Sequence, residues 1–230
     1  ALIDDASRFI VGIDIFFNDN FVNLMSVMKS AVAKYGRPQM FNFDNGKSYK
    51  NKQMELLAAR IGSVVHYDQP YTPTQKAKIE RWFRTMKDQW MASLDIRDFH
   101  SLDELRGNLL AYVNAYNHAP HSSLKGKSPQ ERFFSEPDHF HRLSDGEIDK
   151  DFLLEIERRV SSDSVIIIDQ IEYEVDCRFA KQRIKLRYSP DLQDIFIVEA
   201  DGSLTPIRIL NKIDNAFVKR KKIHLCRGDK

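Results

Sequence analysis

With 230 residues, 42% hydrophobic and 30% charged, the chain is long enough for one substantial core and a smaller second one, so one to two domains are expected. Its 35 basic and 33 acidic side chains nearly cancel, so any surface for a polyanion must come from local clusters and not from net charge. Two cysteines, Cys177 and Cys226, exclude a disulfide framework and a Cys-rich zinc module, and no run approaches the roughly 18 apolar residues of a membrane span.

In chain order, residues 8–17 are aromatic and β-branched and predict a largely buried strand. Asn18 or Asn20 can cap a helix whose apolar positions Phe21, Leu24, Met25, Met28, Ala31, Val32 and Tyr35 recur at helical spacing, with Gly36 placed to stop it. Residues 39–43 predict a strand that delivers Asp44 at its carboxyl end, followed by the turn signal Asn45-Gly46. A second amphipathic helix carries Met54, Leu57, Ala58 and Ile61 and ends at Gly62; residues 63–67 are the next strand, and Asp68 opens a proline-bearing loop. From about Gln75 a helix runs towards Leu94, with Lys76, Glu80, Arg84 and Lys87 on one face and Trp82, Met86 and Trp90 opposite. Another spans about Leu102 to Tyr116, and Ser128-Pro129 begins a short one. Strands alternating with helices argue for a layered α/β domain. Polar, aperiodic text around residues 136–150 suggests a linker; five short β-type runs between Ser164 and Ile209 then fit a small antiparallel barrel, and the chain closes on a basic tail.

Two carboxylates stand out. Asp44 ends a strand and Glu80 lies on a basic helix, with thirty-five residues between them, and both could converge on one Mg²⁺ or Mn²⁺ beside a phosphate backbone. Taken singly, Asp44 reads as a turn-starter and Glu80 as an exposed partner of Arg84 or Lys76; their joint setting points instead to DNA-strand chemistry. The histidine pairs His118/His121 and His139/His141 have no cysteine near them and read as surface or packing residues.

The chain resembles the retroviral-integrase superfamily of transposases, which use an Asp-Asp-Glu triad on a ribonuclease-H-like fold. The resemblance rests on Ile3-Asp-Asp-Ala-Ser-Arg8, Tyr35-Gly-Arg-Pro38, Asp44-Asn-Gly46, Tyr71-x-Pro73, Ile79-Glu-Arg81 with Arg84-Thr85, and Tyr116-Asn117 leading to Ser128-Pro129-Gln-Glu-Arg132. Arg159-Val160, Tyr173-Glu-Val175 and Val198-x-x-x-Gly202 look like the small barrel that follows the core in transposases of the Mu type. The resemblance implies an α/β ribonuclease-H-like core, a mixed sheet flanked by helices, over residues 1–135. A linker over 136–157, a small all-β barrel over 158–210 and a basic tail over 211–230 follow it.

By the same resemblance Asp44 and Glu80 are the second and third members of the triad and hold Mg²⁺ or Mn²⁺. Arg81, Arg84 and Lys87 grip phosphates; Asn45 and Gly46 shape the loop beside Asp44; and Lys219, Arg220, Lys221 and Lys222 offer further DNA contacts. The implied activity is 3′-end hydrolysis and strand transfer on element ends and target DNA. A homo-oligomer would carry it out on DNA in a bacterial-type cytoplasm, associated with the nucleoid when acting, with an ATPase as a candidate partner and no membrane. Ala77 stands where many relatives have Gly. The first Asp of the triad belongs to a strand preceding Ile3, so an amino-terminally truncated core is expected; Asp4 and Asp5 are turn residues and Asp14 is a weak substitute. A non-catalytic remnant that binds DNA or a full-length partner is the alternative, and a nuclease without strand transfer a third.

Overall fold

The computed structural model describes residues 1–46, 48–68, 77–137 and 140–210. They form two units, Ala1–Leu153 and Leu154–Lys230.

In the first unit, β1 (Leu2–Ile3) and β2 (Ile10–Gly12) pair antiparallel across a turn held by Asp4. Its Oδ2 accepts from the Ser7 amide at 2.8 Å and the Ser7 hydroxyl at 2.6 Å, the turn role expected of Asp4. The expected strand over 8–17 shrinks to the three residues of β2. Its one partner strand is two residues long, and beyond Gly12 the chain is held by a side chain instead of a ladder: Arg106 donates to Asp14 Oδ1 at 2.7 Å and to the Ile15 carbonyl at 2.9 Å. On the far edge of β2 the buried Asn117 acts as a strand substitute. Its Oδ1 accepts from the Ile10 amide at 2.9 Å and its Nδ2 donates to the Ile10 carbonyl at 3.2 Å.

Helix α1 (Phe21–Tyr35) starts where Asn20 accepts from the Asn23 amide and buries Met25, Met28, Ala31 and Val32. It stops at Gly36, whose φ of +90° and 2.7 Å approach to the His141 carbonyl leave no room for a Cβ. β3 (Met40–Phe43) and β4 (Val64–Tyr67) run parallel, in register from Met40↔Val64 to Phe43↔Tyr67, as the right register for the crossover helix α2 (Lys52–Ile61) between them. Asn51 caps α2 and Gly62, left-handed at φ +71°, ends it.

Helices α3 (Ala77–Gln89) and α4 (Leu102–His118) close a core of Ile10, Trp82, Met86, Trp90, Leu109 and Val113. α5 (Pro129–Phe133) opens on a capping box, Ser128 with Glu131. The stretch expected as a linker contains a helix: α6 (Asp145–Asp151) opens on a second capping box, Ser144 with Glu147, buries Ile148, and ties to α1 through Lys29–Asp149 at 2.8 Å. The boundary between the two units falls at Leu153/Leu154, within residues 136–157.

The described strands of the second unit all pair antiparallel. One sheet runs β10 (Leu204–Pro206), β9 (Ile195–Val198), β8 (Arg183–Tyr188), β5 (Leu154–Arg159); the other runs β11 (Arg208–Ile209), β7 (Ile171–Glu174), β6 (Val165–Ile168). β5 begins inside the expected linker. The two sheets share one core of Val160, Ile166, Ile168, Tyr173, Val175, Ile184, Leu186, Ile195 and Ile197. Among the described residues they remain two ladders, not one closed barrel. The β6–β7 hairpin turns on Asp169 and Gln170, both at positive φ (+47° and +66°), the paired left-handed conformation of a tight hairpin turn.

Candidate active site

Asp44 follows β3 directly. Its Oδ1 accepts from the Gly46 amide at 2.8 Å, and a Cβ on Gly46 would lie 2.8 Å from that same oxygen and 3.1 Å from the Tyr49 ring, so a larger residue there would displace the Asp44 carboxylate. Asn45 reaches across to the next strand, donating from Nδ2 to the Asp68 carbonyl at 2.7 Å, and Lys50 donates to Asn45 Oδ1 at 3.2 Å. Phe43 stacks on Tyr49, and Tyr67 donates its hydroxyl to the Tyr49 carbonyl, so Phe43 and Tyr67 share one face of the β3–β4 pair. Burial raises the Tyr49 hydroxyl above its ordinary value, and the Asp19 and Asp44 charges push the same way.

The ladder continues one step past the strands. The Asp68 amide donates to the Phe43 carbonyl at 2.9 Å, which brings Asp68 alongside Asp44 at the carboxyl ends of two parallel strands. Ligands of open α/β sheets characteristically gather at such ends. Asp68 is only 6% exposed, and its Oδ1 is buried without a hydrogen-bond partner among the described residues.

Glu80, Arg81, Arg84 and Lys87 lie on the exposed side of α3, while Trp82 and Met86 are buried. This is the division the helical spacing predicts, and it leaves a carboxylate and three cations in one solvent-facing stripe. Among the described residues, no three His, Cys, Asp or Glu side chains gather closely enough to hold a metal ion. Asp44 and Asp68 are thus neighbours by strand register, and no third such side chain joins them among the described residues. The donors nonetheless suit a hard divalent cation: carboxylate oxygens at a strand end, one of them orphaned and buried. Mg²⁺ commonly uses one or two carboxylates and keeps several waters.

Lys219, Arg220, Lys221 and Lys222 lie outside the described residues. Asp14 is committed to Arg106, and Asp5 to Lys78 at 2.5 Å. His121 accepts from the Ser123 amide at 3.2 Å; burial, then the Arg8 and Arg81 charges, lower its pKa. A cavity of about 490 Å³ beside β2, lined by Ile10, Asp14, Lys34, Tyr35, Asn117 and Phe134 among others, is lined by none of the candidate site residues. No helix among the described residues is long and apolar enough to cross a membrane.

Sequence reasoning placed Asp68 in a loop and assigned it nothing. The signal was present: Asp68 follows its strand as Asp44 follows its own, and the parallel register makes the two equivalent.

Residues 1–73 and residues 62–129 each match a family model described as integrase core domain, and the two matches together run through residues 1–129. The chain is 25% identical over 188 residues to the transposase for transposon Tn552 of Staphylococcus aureus, covering 71% of this chain and 38% of that protein, so it spans well under half the length of this relative. Among solved structures, the catalytic core domain of BIV integrase is 18% identical, covering 54% of this chain and 78% of that one at a TM-score of 0.44. A chain of the simian T-cell lymphotropic virus intasome in complex with PP2A regulatory subunit B56 gamma is 14% identical, covering 85% of this chain and 66% of that one at a TM-score of 0.40.

Proposed function

Taking residues 1–129 as a member of the integrase/transposase superfamily, we propose that the chain is the strand-transfer part of a DNA transposase. In this reading it acts by metal-dependent phosphoryl transfer, freeing a 3′-OH at an element's end and joining it to target DNA. The observation that carries the reading is the placement of the carboxylates and cations within the matched region. Asp44 stands at a strand end, fixed by the Gly46 amide, and Glu80 shares the exposed stripe of α3 with Arg81, Arg84 and Lys87.

Asp44 and Glu80 are the residues that would hold Mg²⁺ or Mn²⁺. When bound, such an ion neutralises charge developing on the transferring phosphoryl group. The chain's own part is positioning. The Gly46 amide and the Asn45 clamp fix the Asp44 carboxylate; Arg81, Arg84 and Lys87 hold the phosphate backbone along one helix face. DNA ends and target are the partners, with a homo-oligomer as the working unit and the basic residues 219–222 adding phosphate contacts.

The test is nicking of supercoiled plasmid and of labelled duplexes in Mn²⁺ or Mg²⁺. Asp44→Asn and Glu80→Gln should each lower the rate about 100-fold or more, the loss of several kcal/mol of charge stabilisation at tenfold per 1.36 kcal/mol. The absence of any three-carboxylate cluster among the described residues favours a second reading, a non-catalytic DNA-binding module. Salt-sensitive DNA binding with no nicking by the wild-type chain would establish it over the first.

A further inference from the structure

Asp68 has no role in the chemistry above, yet its Oδ1 is a buried polar atom without a hydrogen-bond partner among the described residues. We propose that Asp68 is a metal-holding carboxylate, a partner to Asp44 for a divalent cation at the carboxyl ends of β3 and β4; the proposal rests on the metal-site reading of Asp44.

Three observations lead there. First, register: the Phe43↔Tyr67 pair and the Asp68 amide donating to the Phe43 carbonyl bring the two aspartates to neighbouring positions at the ends of the parallel strands. Second, rigidity: the Asn45 side-chain amide on the Asp68 backbone carbonyl ties the Asp44-Asn45-Gly46 turn to the end of β4, so the two backbone segments that carry the carboxylates are joined. Metal sites need such outer bonds to fix ligand orientation. Third, an unmet demand: Asp68 is 6% exposed with Oδ1 unpartnered among the described residues, and a buried carboxylate oxygen without a compensating group is costly. Arg81, Arg84 and Lys87 are all exposed on α3, and Lys50 is engaged with Asn45. A hard cation held by the two carboxylates would compensate the orphaned oxygen, and two carboxylates with waters suit Mg²⁺ or Mn²⁺.

The experiment is a calorimetric Mn²⁺ titration of the 230-residue chain, paired with melting curves with and without Mn²⁺, for the wild type, Asp44→Asn, Asp68→Asn and Asp68→Ser. Expected is a rise of about tenfold or more in the Mn²⁺ concentration at half-saturation for both Asp68 variants, with loss of the Mn²⁺-induced rise in melting temperature. Their metal-free melting temperature should equal or exceed the wild type's, because the neutral side chains remove a buried charge. If Asp44→Asn loses Mn²⁺ while both Asp68 variants bind like the wild type, Asp68 is excluded and the metal-site reading stands. If both Asp68 variants fail to fold without metal where the wild type folds, Asp68 serves the fold and the proposal is overturned. A wild-type chain that takes up no Mn²⁺ sinks the proposal and the metal-site reading together.

Discussion

In the second unit the strands provide for one another. Seven antiparallel strands fall into two ladders, and their alternating inward side chains, such as Ile184 and Leu186 on β8 and Ile195 and Ile197 on β9, meet in a single core. In the first unit the described strands make two short pairs, one antiparallel and one parallel, and other groups finish what the strands leave open. Helices cover the faces, and Asn117 and Arg106 take backbone groups that a neighbouring strand would otherwise take. The contrast shows where function has room. The second unit's two ladders offer backbone groups at their edge strands, whereas a region built from strand ends and side-chain clamps presents carboxylates where chains stop.

Leu186→Ala strikes the self-contained core hardest. Leu186 is fully buried, and its truncation should cost about 2–5 kcal/mol, read as a shift of the urea midpoint for the second unit. A cost below about 1 kcal/mol would mean that the core collapses around the gap, and that the contrast between the units is weaker than drawn. Asn117→Ala tests the other side. It leaves the Ile10 amide and carbonyl without partners and should lower stability by about 2–3 kcal/mol, with accelerated amide exchange at Ile10 as the specific signature. Unchanged exchange there would show that β2 does not depend on the side-chain clamp.

The smallest effect concerns pH. Because the His121 pKa is lowered in the folded protein, the unfolded chain takes up the proton first as pH falls. The stability this histidine contributes is therefore present above about 6.5 and is lost as pH drops from there through the folded value. His121→Gln, which keeps an acceptor for the Ser123 amide, should flatten the fall in melting temperature between about pH 7 and 5. An unaltered slope would assign the acid sensitivity to other groups.

Local signals were legible in the sequence because their causes are local. Asn20 and Gly36 bound α1, Gly62 ends α2, and Ser128-Pro129 opens α5, each within a few residues of the backbone group it satisfies. The exposed stripe of α3 follows from helical spacing in the same way. α6 escaped because seven residues are too few to display a period, although Ser144 and Glu147 carried a capping-box signature. The short extent of β2 was not legible, since strand length is set by a partner distant in sequence. Asp44 was read from its turn, but Asp68 acquires meaning only from the β3–β4 register, and Asn117 only from a contact 107 residues away.

That last contact has a further consequence for solubility. A sheet edge with unoccupied amides and carbonyls is a template on which another chain can add a strand. Asn117 occupies both outward groups of Ile10, so an incoming strand must first displace a buried amide before its own first hydrogen bond can form. One asparagine on a helix thus acts as a guard against edge-to-edge aggregation.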